Sequence, residues 1–178
     1  MFVTNNGYYL RYKEDEIPVV GAKASGVKGI NLKDDYVIFA SSINSNHEYL
    51  NIFTNYKTIK RVKLSDLGVI SRAKKGNMLF KKTKSKDYKV NFAYLTSSKD
   101  INIYRIDNDL IELKNSEIPI MDLASTGSQV KFNYDLFTLK KDLEINIEKS
   151  DDAKTNVAKE ISSNEQLSFN DFVEDFKI

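Results

Sequence analysis

The sequence predicts an all-β, propeller-like body of about three blades, followed by an acidic tail. Short segments rich in Val, Ile, Tyr, Phe and Thr recur between clusters of Gly, Asn, Asp and Lys, which is typical of strands and turns. Three elements of this pattern recur in order at intervals in the forties, a spacing typical of propeller blades. No long helical period occurs before residue 145. We therefore divide the chain into a β domain, residues 1–146, and a tail, residues 147–178.

Eight segments are expected to form strands. Ile101–Ile106 alternates apolar and polar residues, which suits a strand with one buried face. The others share the β-branched and aromatic composition of strands and are Met1–Thr4, Tyr8–Tyr12, Tyr36–Ala40, Tyr49–Thr54, Asn77–Lys81, Val90–Thr96 and Val130–Tyr134.

The repeat is carried by two strands and a tripeptide. An apolar strand ending in Thr occurs three times, with spacings of 50 and 42 residues, at Phe2–Thr4, Ile52–Thr54 and Tyr94–Thr96. A second strand with a basic residue follows each turn, so equivalent positions are expected for Arg11, Arg61 and Arg105. Glu16-Ile17-Pro18 returns 101 residues later as Glu117-Ile118-Pro119. Three repeats of this kind fit in the chain.

The tail has the composition of a linker. Residues 147–166 are rich in Ser, Asn, Asp and Lys, which predicts disorder. Beyond them, Phe169, Phe172, Val173 and Phe176 fall on one face of a helix, with Ser168 placed as its N-cap. This spacing predicts a short amphipathic helix over residues 168–177, and a frayed tail is the alternative because so short a helix is marginal in water.

Charge is distributed unevenly along the chain. The net charge is +2, yet residues 142–178 hold ten Asp or Glu against four Lys, and residues 1–141 hold 23 Lys or Arg against 15 acids. Lys57–Lys89 holds twelve Lys or Arg and only two acids. Such a density of one sign costs self-repulsion, so it indicates a polyanionic partner, with a solvated surface as the alternative. The acidic tail is expected to compete for the same surface, so deletion of residues 147–178 should tighten binding of the polyanion at low salt.

The sequence offers little for catalysis. It has no cysteine, which excludes disulfides, thiolate metal sites and cysteine nucleophiles and is compatible with a cytoplasmic location. The single histidine, His47, lacks the neighbours of a metal site or a catalytic triad. Ser25–Gly29 lacks the spacing of a phosphate-binding loop. We expect neither enzymatic activity nor a cofactor or metal in this chain.

The first repeat resembles a known family. Gly7–Tyr12, Glu16-Ile17-Pro18 and Gly26–Asp35 follow the blade pattern of the C-terminal domains of bacterial type IIA topoisomerase A subunits, of which topoisomerase IV and DNA gyrase are the two kinds. The specific resemblance covers about 45 residues and the weaker one about 145 residues. It implies a β-pinwheel, a propeller-like disc whose neighbouring blades exchange strands and whose basic rim binds bent DNA. A complete disc has about five or six blades, so the chain is expected to be a partial pinwheel and a fragment.

The resemblance also implies a role within a larger enzyme. The domain would bend a DNA segment and present it to the cleavage core, while the catalytic residues lie in other parts of an ATP-dependent holoenzyme. The implied partners are double-stranded DNA, the remainder of the A subunit and the ATPase B subunit, in the cytoplasm and associated with the nucleoid. Ser71–Asn77 departs from the glutamine–arginine–glycine-rich box of gyrase, which favours topoisomerase IV over gyrase.

Candidate DNA-binding residues follow from the basic cluster and the repeat. Lysine and arginine contacts to phosphate would give largely sequence-independent, salt-dependent affinity. The candidates are Lys57, Lys60, Arg61, Lys63, Arg72, Lys74, Lys75, Lys81 and Lys82, with Arg11, Lys28 and Arg105 from other repeats. The alternative function is a propeller-like module whose basic face binds an acidic protein surface.

Overall fold

The computed structural model of the protein describes residues 1–106, 109–130 and 137–140, in which short strands alternate with turns. The strands are β1 (Phe2–Thr4), β2 (Tyr8–Leu10), β3 (Val37–Ala40), β4 (Tyr49–Thr54), β5 (Thr58–Lys63), β6 (Asn77–Met78), β7 (Val90–Thr96), β8 (Ile101–Ile106), β9 (Asp109–Lys114), β10 (Ser128–Gln129) and β11 (Phe137–Leu139). The predicted all-β class is confirmed. The linker and helix predicted within residues 147–178 lie outside the described residues.

Two hairpins show why the first strand of a repeat ends in threonine. The hydroxyl of Thr4 accepts a hydrogen bond from the backbone N–H four residues later, at 3.1 Å, and Thr54 does the same at 3.3 Å. Each turn then closes through a residue with positive φ, Gly7 (79°) in one hairpin and Lys57 (58°) in the other. Glycine is needed at the first position because a Cβ on Gly7 would lie 2.3 Å from the Phe80 ring.

Each of the first two sheets is completed by a strand from the following repeat. The sheet orders are β3-β1-β2-β6, β10-β5-β4-β7 and, among the described residues, β11-β8-β9, with antiparallel pairing throughout. Strand β6 comes after β5 along the chain yet pairs with β2, and β10 comes after β9 yet pairs with β5. These exchanged strands link neighbouring blades, which is the pinwheel arrangement that the resemblance implied.

The exchanged strands require glycine at the point where they enter the neighbouring sheet. Gly76 has a φ of 94°, and a Cβ there would lie 2.1 Å from the backbone oxygen of Tyr9. Gly127 has a φ of 97° and meets the backbone oxygen of Ile59 in the same way, at 2.9 Å. Because Tyr9 and Ile59 hold the same place in β2 and β5, the two crossings are structurally equivalent.

The third repeat is placed differently from the sequence prediction. Tyr94–Thr96 belongs to β7, which pairs with β4 as β3 pairs with β1, so it is not the first strand of a hairpin. The third hairpin is β8–β9, and Arg105 pairs there with Leu110 as Phe53 pairs with Ile59. The predicted equivalence of Arg105 with Arg11 and Arg61 is therefore wrong.

In the register of the strands, Glu112 of β9 holds the place of Arg61 in β5. The tripeptide equivalence is confirmed, because Glu14–Glu16 and Asn115–Glu117 form the 3-10 turns after β2 and β9, and Leu64–Asp66 forms the one after β5. Of the predicted strand Val130–Tyr134 only Val130 is described, directly after the strand Ser128–Gln129, and residues 131–136 lie outside the described part.

The core lies between the sheets. Its main cluster includes Val3, Leu50, Leu79 and Leu95, all with almost no exposure, and each such side chain contributes roughly 1.5–3 kcal/mol through burial. A smaller cluster of Phe53, Ile59 and Ile118 joins β4 and β5 to the 3-10 turn of the third repeat. The core therefore couples consecutive repeats through the residues that flank their exchanged strands.

A buried polar network also joins the second and third repeats. The Asn51 amide donates to Asn115 Oδ1 at 2.7 Å and to Asn102 Oδ1 at 3.1 Å. The hydroxyl of Thr96 donates to Asn51 Oδ1 at 3.2 Å, and the Asn115 amide donates to the Ser97 carbonyl at 2.6 Å. Because these buried groups satisfy one another, the network fixes the register between blades rather than weakening the core.

Candidate nucleic-acid interface

A loop rich in lysine lies between two hairpin turns at one end of the strands. It comprises Lys81–Lys89, which we call the lysine loop, and it connects β6 to β7. The side chain of Asn5, in the β1–β2 turn, donates to the Val90 carbonyl just past the loop, at 3.1 Å. Asn55, in the β4–β5 turn, donates to the Asp87 carbonyl at 3.1 Å and accepts from the Lys89 backbone N–H at 2.9 Å. The loop is thus fixed to both turns.

Lysines of this region lie over tyrosine rings. Lys75 Nζ is 4.1 Å from the centre of the Tyr8 ring, and Lys82 Nζ is 5.9 Å from it. Lys86 Nζ is 5.3 Å from the centre of the Tyr56 ring. A hydrogen bond from Lys75 lowers the pKa of the Tyr8 phenol, with partial burial opposing the shift. The cation–π contacts hold the ammonium groups near the surface without neutralising them.

The segment before β6 presents two more lysines. Lys74 and Lys75 are exposed in a loop that turns through Ala73, with a φ of 62°, and Gly76. Arg72 is directed away from this surface: its Nε donates to the Glu16 carbonyl at 2.9 Å, and its guanidinium also contacts the Lys28 carbonyl. Arg72 therefore joins the first repeat to the second, and its neighbours Lys74 and Lys75 carry the accessible charge.

Lys60 and Arg61 are inside the protein, which corrects their predicted contact with phosphate. Lys60 is 1% exposed, and its ammonium donates to the carbonyls of Leu79, Asp122 and Ser125 at 2.7, 2.8 and 2.7 Å. Burial lowers the pKa of Lys60 to about 8, and the Asp122 carboxylate opposes the shift. Three backbone acceptors inside the protein leave this ammonium no path to a ligand.

Arg61 is 7% exposed and donates from Nε to the Ile118 carbonyl at 2.7 Å. Arg11 donates from Nη1 to the Leu64 and Leu67 carbonyls, at 2.7 and 3.2 Å. The two arginines hold equivalent places in β2 and β5, and each binds the 3-10 turn of the following repeat. Their role is to join blades. The basic residue recurs at this place in the two repeats because each arginine makes this contact with the next blade.

The remaining predicted residues are spread over the surface. Lys57 is exposed in the β4–β5 turn beside Tyr56, and Lys81 and Lys82 are exposed in the lysine loop. Lys63 is exposed at the opposite end of β5, where it pairs with Tyr49. Lys28 is exposed in the first repeat and donates to Asn31. Of Arg105 only the backbone is described, in β8.

The structure adds residues that the sequence did not single out as sites. Tyr8 and Tyr56 support lysines, and Asn5 and Asn55 anchor the lysine loop. Lys84 and Lys86 belong to the basic cluster and are exposed in the loop. The turn Asn55-Tyr56-Lys57, with a tyrosine at its centre, is visible in the sequence, but its proximity to the lysine loop depends on contacts between residues about 30 positions apart.

Other kinds of site are not formed by the described residues. Across residues 1–106, 109–130 and 137–140, no three His, Asp or Glu side chains lie together as ligands for a metal ion. Within the same part of the chain, no helix has the length and apolar character needed to cross a bilayer.

Comparisons with known proteins agree with this architecture. The family model of the DNA gyrase C-terminal domain, a beta-propeller, matches residues 1–44 and 58–97. The A subunit of DNA topoisomerase 4 from Bacillus subtilis (strain 168) is 34% identical over 126 residues, covering 70% of this chain and 16% of that protein. The A subunit from Streptococcus pneumoniae serotype 4 (strain ATCC BAA-334 / TIGR4) is 42% identical over 91 residues, covering 51% of this chain and 11% of that protein.

The fold comparison gives the same answer. The crystal structure of the C-terminal domain of DNA topoisomerase IV matches with a TM-score of 0.68 and 28% identity, covering 78% of this chain and 45% of that chain. This chain belongs to the DNA gyrase A C-terminal-domain family. The C-terminal domain of DNA gyrase A itself matches with a TM-score of 0.65 over 78% of this chain and 49% of that chain, at 19% identity, which speaks for the shared fold alone.

The chain spans only part of the proteins that it matches: 16% of the B. subtilis relative and 45% of the topoisomerase IV domain. The family match includes the lysine loop and the β1–β2 turn that anchors it, but not the β4–β5 turn, residues 55–57.

Proposed function

We propose that this chain is a non-catalytic DNA-binding module of a bacterial topoisomerase IV A subunit, which bends duplex DNA and presents it to the cleavage core. The observation that carries the proposal is a concentration of exposed lysines in and beside the lysine loop: the loop's own lysines, Lys57 in the turn bonded to the loop, and Lys75, which shares the Tyr8 ring with Lys82. Phosphates neutralised by these lysines would release condensed counterions. Binding would then depend on charge and DNA shape and little on sequence.

The module acts within a larger protein. Its functional partners would be the rest of the A subunit and the ATPase B subunit of a type II topoisomerase associated with the bacterial nucleoid. The curated relatives are topoisomerase 4 A subunits, and Ser71–Asn77 lacks the gyrase box, so topoisomerase IV is favoured over the DNA-wrapping domain of gyrase.

The test is a fluorescence-anisotropy titration of the full chain with a labelled duplex of about 40 base pairs, at several salt concentrations. The wild type should bind with affinity that falls steeply with salt and hardly changes with DNA sequence. Lys74→Glu/Lys75→Glu should weaken binding by at least about tenfold at low salt, because two favourable charges become repulsive. Folding of each variant is checked by circular dichroism.

A matched control makes the same charge change at the opposite end of the strands. Lys99 lies in the β7–β8 connection and Lys114 ends β9, and both are exposed. Lys99→Glu/Lys114→Glu should weaken binding much less than the Lys74 and Lys75 variant. No binding at low salt by the folded wild type would refute the proposal and favour a module for acidic proteins.

A further inference from the structure

The register of the repeats reveals an insertion in the second one. Val37 pairs with Thr4 in the first sheet, and Val90 pairs with Thr54 at the same place in the second. Counting back to the leucine of each Lys-Gly-x-x-Leu segment, four residues separate Leu32 from Val37, whereas ten separate Leu79 from Val90. The lysine loop is this longer connection, and the first repeat has no counterpart to its six extra residues.

The insertion is held in a defined conformation. The backbone N–H of Asn55 donates to the Lys89 carbonyl at 3.0 Å, which adds to the side-chain bonds from Asn55. Within the loop, the Thr83 hydroxyl donates to the Lys86 carbonyl at 2.9 Å and accepts from its backbone N–H at 3.2 Å. A loop ordered before it meets a ligand loses less conformational entropy on binding, so its charges act with little reorganisation.

The charges of the insertion are divided between internal and external use. Lys89 forms an ion pair with Asp87 at 3.0 Å and also contacts the side chain of Asn6. This pairing uses the one acid of the loop and leaves Lys82, Lys84 and Lys86 exposed. The shorter connection of the first repeat, residues 33–36, carries the opposite net charge, with two aspartates and one lysine. Its Asp35 accepts from the Asn6 backbone N–H at 3.0 Å.

The surface of the insertion suits a small anion. A notch of about 50 Å³ lies between the aromatic rings of Phe80 and Tyr88, whose centres are 5.9 Å apart, and the side chains of Lys82, Thr83 and Lys86. Ligand pockets for whole small molecules have volumes of roughly 300–1,000 Å³, so the notch has room for a single phosphate-sized group and excludes a base. Lys82 and Lys86 offer ammonium donors to a phosphodiester oxygen, and the Asp87 carboxylate, which also lines the notch, is paired with Lys89.

We propose that the insertion Lys81–Lys89 is the principal phosphate-binding element of the chain, so that duplex DNA is held mainly at the second blade rather than evenly along all repeats. This inference rests on the proposed DNA-binding function and narrows it to one site. Lys82 and Lys86 bind the phosphate at the notch, and Lys84 binds an adjacent phosphate of the DNA backbone. Lys74 and Lys75 extend the same surface along the neighbouring exchanged strand.

The experiment compares two triple variants of the full chain in the anisotropy titration. Lys82→Gln/Lys84→Gln/Lys86→Gln removes three charges from the insertion, and Lys63→Gln/Lys99→Gln/Lys114→Gln removes three from the opposite end of the strands. Each phosphate contact contributes about 0.9 to the slope of log affinity against log salt, so the first variant should lower the slope by about 2–3. The second should lower it by less than about 1.

A conservative variant separates charge from loop structure. Lys82→Arg/Lys84→Arg/Lys86→Arg keeps the three charges and should keep the wild-type slope. The inference is overturned if the wild type binds DNA and both glutamine variants lower the slope equally, a result that leaves the proposed function standing. Failure of the folded wild type to bind DNA would overturn the proposed function and this inference together.

Discussion

Lys60 offers the sharpest test of how the blades are joined. Its buried ammonium donates to three backbone carbonyls, and two of them, Asp122 and Ser125, belong to the third repeat while Leu79 belongs to the second. Lys60→Met keeps the apolar stem and removes the donor. Each buried acceptor left without a partner costs about 1–3 kcal/mol, so the free energy of unfolding should fall by about 3 kcal/mol or more at pH 7.

The same substitution should remove a pH dependence. The pKa of Lys60 is lowered to about 8 in the folded protein from 10.5. Between these values the unfolded chain binds the proton and the folded protein does not, so stability rises with pH across this window. The difference corresponds to about 3 kcal/mol, because each pKa unit is worth about 1.4 kcal/mol. Below pH 8 both states are protonated, and this contribution is constant.

Urea denaturation followed by circular dichroism, at pH 7.5 and 9.5, measures both effects. Lys63→Met is the matched control, since Lys63 is exposed on the same strand and its replacement should change stability by no more than about 0.5 kcal/mol. The gap between wild type and Lys60→Met should widen at pH 9.5. A loss below about 1 kcal/mol, or a gap that does not depend on pH, would show that the three carbonyls are satisfied without Lys60.

Three further substitutions test the inter-blade contacts. Arg61→Met should destabilise the protein by about 2–4 kcal/mol in urea titrations, because the Ile118 carbonyl loses a charged donor. The slope of log DNA affinity against log salt should stay unchanged in the folded variant. A changed slope would show that Arg61 contacts DNA. Gly76→Ala should lower the free energy of unfolding by more than about 2 kcal/mol, since its Cβ would lie 2.1 Å from the Tyr9 oxygen at a positive φ. Gly21→Ala is the control, measured in the same thermal melts, and should be nearly neutral because the space around Gly21 is open. Equal losses of stability in the two variants would contradict the strand crossing. Asn115→Ala should lower stability by about 2–4 kcal/mol by leaving Asn51 without its 2.7 Å partner, and a loss below about 1 kcal/mol would show that water replaces the amide.

The correction at the third repeat shows the limit of a local pattern. Thr96 ends an apolar strand as Thr4 and Thr54 do, so the sequence alone equated the three. In the structure Thr96 contributes to the polar network of the second sheet, and the third hairpin begins five residues later, at Ile101. Strand pairing depends on partners far away in sequence, and a short run of residues cannot specify them.

Local chemistry nevertheless determined much of this protein. Strand composition predicted the all-β class, Gly-containing segments marked turns between strands, and the lysine-rich segment was visible in the sequence alone. Only the tertiary structure decided which cations face solvent. Lys60 and Arg61 lie in the same basic run as Lys82 and Lys86, but the exchanged strands and 3-10 turns of the next repeat cover the first pair and leave the second exposed. The charge of a segment follows from its residues alone, whereas burial depends on packing against residues distant in sequence. A charged segment therefore identifies a binding surface only when the fold shows which of its side chains are exposed.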